Sequence, residues 1–154
     1  MRQTYDRRSV LGYAVGSAAG AVLLASARPS YAATTAFKAT LNGASENPPT
    51  TSAGTGSVTA TLDPATKMLT WQGTFAGLSG PATAAHFHGP AEPGKNAGVA
   101  VAISTKDTPF TSPFKGSATL TDGQISDLMA GLWYVNIHTD ANKGGEIRGQ
   151  VMKG

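Results

Sequence analysis

From Ala36 onward the chain runs in short stretches of alternating apolar and polar residues, broken by clusters of Gly, Pro, Asn and Asp. Alternation sends successive side chains to opposite faces of a strand, so each stretch predicts a half-buried β-strand. Over Ala36–Leu41 the inward set is Phe37, Ala39 and Leu41, and over Gly56–Leu62 it is Val58, Ala60 and Leu62. Over Met68–Phe75, Leu69, Trp71, Gly73 and Phe75 share one face, with Met68, Thr70, Gln72 and Thr74 opposite. Asp63-Pro64-Ala65-Thr66 predicts the turn between these last two strands: Asp starts it and Pro presets φ at the second position. Pro81–His88, Val99–Ile103, Phe114–Leu120, Trp133–His138 and Glu146–Met152 predict the remaining strands. Asn42–Thr51, Gly89–Gly98 and Thr139–Gly145 predict loops.

One segment switches to helical period. In Thr121–Leu132, Ile125, Leu128, Met129 and Leu132 form a stripe. Thr121 is placed to cap it, Gln124 to complete a capping box and Gly131 to end it. Trp71 and Trp133 are the expected core anchors. Many short strands with frequent turn signals predict an all-β fold, an antiparallel Greek-key β-sandwich (immunoglobulin-like or superoxide-dismutase-like) with one short helix.

The first 32 residues read differently. Paired Arg7 and Arg8 precede an uncharged, Ala/Gly-rich stretch from Ser9 to Ala27, then Arg28 and the small-residue site Ser30-Tyr31-Ala32. That order predicts a bacterial export signal of the twin-arginine type, cleaved after Ala32, with residues 33–154 as the mature domain. The expected location is periplasmic or secreted, with no membrane association after cleavage. The alternative is an uncleaved membrane anchor, for which the Gly/Ala-rich stretch is poorly apolar.

Removing the signal changes the charge picture. Residues 33–154 hold seven Lys and one Arg against five Asp and three Glu, so the chain's net +3 belongs to the leader. No basic run remains to bind nucleic acid. The chain has no cysteine, which excludes disulfides and thiolate chemistry. Gly89–Gly98 lacks the ending of a phosphate loop, and no serine sits in a nucleophile elbow. The reading favours a monomeric, non-enzymatic domain.

The candidate chemistry lies in the three histidines. His86 and His88 are two apart on a predicted strand, so both face one spot, and His138 on another strand could reach it. Imidazole suits Cu, Zn, Ni and Fe, and a His-x-His pair plus a remote His can supply three nitrogens. Glu146, Asp140, Met152 or water are candidates for a fourth ligand. Asn136 shares the strand face of His138 and could orient a ligand. The competing reading has each histidine bonding a backbone carbonyl to pin a loop. Glu146 and Arg148, on one face of the last strand, suggest a structural ion pair. Tyr134, facing opposite Trp133, could line the histidine cluster.

Several segments together resemble a known family. They are Leu41-Asn42-Gly43-Ala44-Ser45-Glu46-Asn47-Pro48-Pro49, Leu62-Asp63-Pro64-Ala65-Thr66, Leu69-Thr70-Trp71 and Ala84-Ala85-His86-Phe87-His88-Gly89-Pro90. Trp133-Tyr134-Val135-Asn136-Ile137-His138-Thr139 and Gly144-Gly145-Glu146-Ile147-Arg148-Gly149-Gln150 complete the set. In this order they resemble a CHRD (chordin-type) domain over about Phe37–Met152. The resemblance implies an extracytoplasmic module; in animals such domains recur in an extracellular antagonist of bone morphogenetic proteins. This chain lacks the cysteine-rich modules found there, so growth-factor binding would be fold-level analogy.

The His-x-His pair is also similar to the copper ligands of Cu/Zn superoxide dismutase. No further histidine remains to bridge a second metal, and there is no histidine-rich zinc loop or disulfide. Three functions stay open. The first is a protein binding one transition-metal ion, copper favoured over zinc, through His86, His88 and His138. The second is a metal-free extracytoplasmic interaction module with a protein partner. The third is a copper redox enzyme resembling superoxide dismutase.

Overall fold

The computed structural model describes residues 33–104, 108 and 110–154. The export-signal reading of residues 1–32 lies outside them. Within the described residues the fold is all-β and antiparallel, with one short helix. The strands are β1 (Thr35–Asn42), β2 (Thr55–Asp63), β3 (Met68–Ala76), β4 (Ala82–His88), β5 (Val99–Ala102), β6 (Phe114–Thr119), β7 (Tyr134–Thr139), β8 (Ile147–Gln150) and β9 (Met152–Lys153); the helix α1 is Asp122–Met129. A single 3₁₀ turn, Gly43–Ser45, follows β1.

All strands join one hydrogen-bonded sheet in the order β5-β4-β7-β8-β1-β2-β3-β6, with β9 added to β1. β1, β2 and β3 form the meander predicted by their alternation, in unbroken register. Of their predicted inward residues, Phe37, Ala39, Leu41, Val58, Ala60, Leu62, Leu69 and Trp71 are buried, while Gly73 and Phe75 toward the end of β3 are half-buried. The turn after β2 forms as expected: the Asp63 carboxylate accepts from the Ala65 amide at 2.9 Å.

The sheet curls so that its two ends share one core. Phe87 of β4 meets Trp71 of β3 edge-to-face, with ring centroids 5.3 Å apart. Phe87 also packs against Trp133, which is fully buried. Both tryptophans are thus core anchors.

The helix is shorter than predicted but capped as predicted. Thr121 accepts from the Gln124 amide, and the Gln124 side chain accepts from the Thr121 amide. Gly131 turns the chain away at φ +75°. Of the predicted stripe, Leu128 is buried and Ile125 packs on the core, whereas Met129 is exposed.

The last predicted strand, Glu146–Met152, is in fact two. β8 stops at Gln150, and the Val151 amide turns to the Trp133 carbonyl at 2.8 Å. Glu146 lies in a bend before β8. The expected Glu146–Arg148 pair therefore does not form, although both residues are buried. Their side chains take separate partners, described below.

Candidate metal centre

Three adjacent strands build a polar face on the side of the sheet away from the core. β7 lies between β4 and β8, pairing His86 with Asn136, His88 with Tyr134, and Asn136 with Arg148. The intervening residues Ala85, Phe87, Val135, Ile137 and Ile147 point inward and are fully buried. Alternation therefore gives one apolar face and one face carrying His86, His88, Tyr134, Asn136, His138 and Arg148.

The structure brings the three histidines together. One ring nitrogen from each lies within 4.8 Å of the others. His138 Nδ1 is 2.9 Å from the Lys143 carbonyl oxygen, and His88 Nδ1 is 3.0 Å from that of Ala97. A carbonyl only accepts, so both Nδ1 atoms carry the proton and both Nε2 atoms present a lone pair. His86 Nδ1 donates to His138 Nε2 at 3.1 Å. His88 Nε2 is buried and has no hydrogen-bond partner among the described residues.

The environment keeps the His86 and His138 rings neutral. Burial, then the neighbouring His138 and His88, lowers the His86 pKa from 6.5 to about 4. Burial also lowers that of His138, against the opposing pull of the Lys143 carbonyl and reinforced by His88. A neutral imidazole is the form that binds a metal.

Tyr134 does line the cluster: its ring stacks on His88 with centroids 4.8 Å apart and planes 4° from parallel. The Arg148 guanidinium lies over Tyr134, 3.4 Å from the ring centroid. Arg148 also donates to Asn96 Oδ1 at 2.9 Å and to the Lys95 carbonyl at 2.6 Å, holding the Gly89–Gly98 loop over the strands.

The other predicted site residues sit elsewhere. Glu146 faces a pocket of donors: its Oε1 accepts from Ser52 Oγ and the Ser79 amide, and its Oε2 from Ser79 Oγ, Thr139 Oγ1 and Asn142 Nδ2. Burial pushes its pKa up, but these bonds outweigh it and bring the value down to about 2. No lone pair is left over for a metal. Asn136 donates to the Gly144 carbonyl at 3.3 Å rather than to a histidine. Asp140 and Met152 are exposed, Met152 on β9.

Glu46 is the residue that sequence reasoning passed over. It is buried just after the 3₁₀ turn, with Oε1 unpartnered. Desolvation raises its pKa from 4.5 to about 7, against the pull of Arg148, the Asn47 amide and Asn136. Its only sequence signal was its place in the Leu41–Pro49 motif, which carries no chemistry by itself.

No curated protein and no solved structure matches this chain. A family-wide sequence profile, described as the CHRD domain, matches residues 37–151, from the third residue of β1 to the end of β8 and Val151. That span holds every residue of the polar face, and the chain belongs to the CHRD domain family.

Proposed function

We propose that this domain binds one transition-metal ion, copper in preference to zinc, through His88 Nε2, His138 Nε2 and His86 Nδ1. The observation that carries the reading is the buried, unpartnered Nε2 of His88, on a ring whose other nitrogen already donates to Ala97. A buried polar atom without a partner is costly, and a metal would satisfy it. Ligating histidines characteristically donate their second nitrogen to a carbonyl, as His88 and His138 do.

Size supports the reading with one adjustment. Metal–nitrogen bonds of about 2.0 Å put tetrahedral ligands roughly 3.3 Å apart. His86 and His138 already have that spacing at 3.1 Å. The widest gap in the trio is up to 4.8 Å, so the rings close by about 1.5 Å on binding. His86 moves its proton from Nδ1 to Nε2, freeing the Nδ1 lone pair.

The role that suits such a centre is metal handling outside the cytoplasm by a monomeric, exported protein. The twin-arginine pattern of the leader and the family membership support this location. Among the described residues, no helix is long and apolar enough to cross a membrane. The same reading takes the curled sheet as a Greek-key sandwich, with the His-x-His pair on an inner strand.

The test is metal analysis of untagged protein after loading with Cu(II) or Zn(II) and desalting. Near-stoichiometric metal is expected, and it should vanish in a His86→Ala/His88→Ala double variant. A folded wild type that retains no metal would overturn the proposal in favour of a metal-free interaction module.

A further inference from the structure

Arg148 is 1% exposed, and among the described residues no carboxylate forms an ion pair with it: Glu46, whose pKa it pulls down, lies beyond contact, and the ion pair joins Lys67 and Asp122. A buried guanidinium with no carboxylate in direct contact is costly, so its placement calls for a reason beyond charge pairing. Its contacts converge on His88 by two routes. By the first, its plane covers Tyr134, and Tyr134 stacks almost parallel on the His88 ring. By the second, it holds Lys95 and Asn96, next to Ala97, whose carbonyl accepts the His88 Nδ1 proton. The two routes are tied together, because Tyr134 Oη accepts from the Ala97 amide at 3.2 Å.

We propose that Arg148 is a positioning residue for His88: through Tyr134 it sets the plane of the imidazole, and through the 95–97 segment it sets the carbonyl that keeps the proton on Nδ1. Together these aim the Nε2 lone pair of His88 toward His86 and His138. The inference rests on the metal-binding reading for its purpose, but the positioning itself exists without a metal. Lysine cannot replace arginine here, because only the planar guanidinium stacks on a ring while donating in two directions.

Two variants test this, Arg148→Lys and Asn96→Ala. Asn96 is exposed, so its truncation removes one of Arg148's acceptors with little risk to folding. The first readout is the ¹⁵N spectrum of His88 in metal-free protein. The wild type should show a single Nδ1–H tautomer, and both variants a shift toward a mixture. The second is Cu(II) affinity by competition with a chelator, which should weaken by about 10- to 100-fold in Arg148→Lys and less in Asn96→Ala. Variants that fold, keep the wild-type His88 tautomer and bind copper within about twofold of wild type would leave Arg148 a mere loop anchor. If the wild type binds no copper, the metal reading falls and the tautomer shift alone decides the positioning role. If Arg148→Lys does not fold, Asn96→Ala decides it by the same two readouts.

Discussion

Glu146 shows how a residue chosen for one chemistry serves another. Its chain position suggested a metal ligand, but every lone pair is taken by donors from Ser52, Ser79, Thr139 and Asn142. Two of these partners sit 94 and 67 residues away, so no local spacing could reveal them. A buried carboxylate so enclosed joins three segments: the loop before β2, the loop before β4 and the end of β7. Glu146→Gln puts an amide donor where the fixed Ser79 amide or the hydroxyls also donate. It should destabilise the fold by about 2–4 kcal/mol, read as a lower urea midpoint with unchanged slope. A midpoint equal to the wild type would mean that the hydroxyls rotate to satisfy the amide. At the histidines, the geometric signs of two rival readings occur together. Carbonyl bonding at Nδ1 was the sign of a loop pin, and a convergent nitrogen the sign of a ligand. His88 and His138 bond a carbonyl through Nδ1 and offer Nε2 to the cluster.

At the level of elements, alternation predicted the strands well because each has one face on a single core. Where the pattern failed, the backbone had a local reason. The Glu146–Met152 run breaks because Gly145 sits at φ +132°, a conformation for glycine, and because the Val151 amide leaves the ladder for Trp133. The helix was legible through its capping box, which also has a tertiary task that no sequence pattern announces. Gln124 Nε2 donates to the Ala100 carbonyl at 3.0 Å, so α1 covers part of the open edge of β5. Unpaired edge carbonyls are otherwise left to water or to another chain. Gln124→Ala removes both the box and this bond. It should cost about 1–2 kcal/mol and speed amide exchange in β5 and in the first turn of α1. Thr121→Ala removes only the cap, so exchange in β5 should stay near wild type. Equal exchange in β5 for both variants would show that Gln124 does not protect that edge. The backbone acceptors Ala97 and Lys143, by contrast, were invisible in advance, since a carbonyl gives no residue-type signal.

Across the whole molecule, the buried ionisable groups give opposing pH dependences, and their windows decide the net profile of the metal-free protein. His86 has a folded pKa of about 4 against 6.5, and His138 shifts in the same direction. An unfolded chain then binds more protons than the folded one below pH 6.5, so stability is full above 6.5 and falls as the pH drops toward 4. Glu46 runs the other way. Its folded pKa of about 7 exceeds the ordinary 4.5, so its contribution is full below 4.5 and is lost as the pH rises to 7. Glu146 contributes above pH 4.5 and loses that contribution as the pH falls toward 2. Between 4.5 and 7 the histidines and Glu46 oppose each other, and the wild-type profile should be shallow. Below 4.5 Glu146 acts alone after the histidines are spent, and stability should fall steeply. Glu46→Gln removes one arm of the balance. It should leave the acid limb intact, steepen the rise in urea midpoint from pH 4.5 to 7, and stabilise the protein at pH 8 relative to pH 4.5. The same pH profile in variant and wild type would show that the Glu46 carboxyl is hydrated, and that the layer joining Glu46, Arg148 and the histidines is open to water rather than sealed beneath its loops.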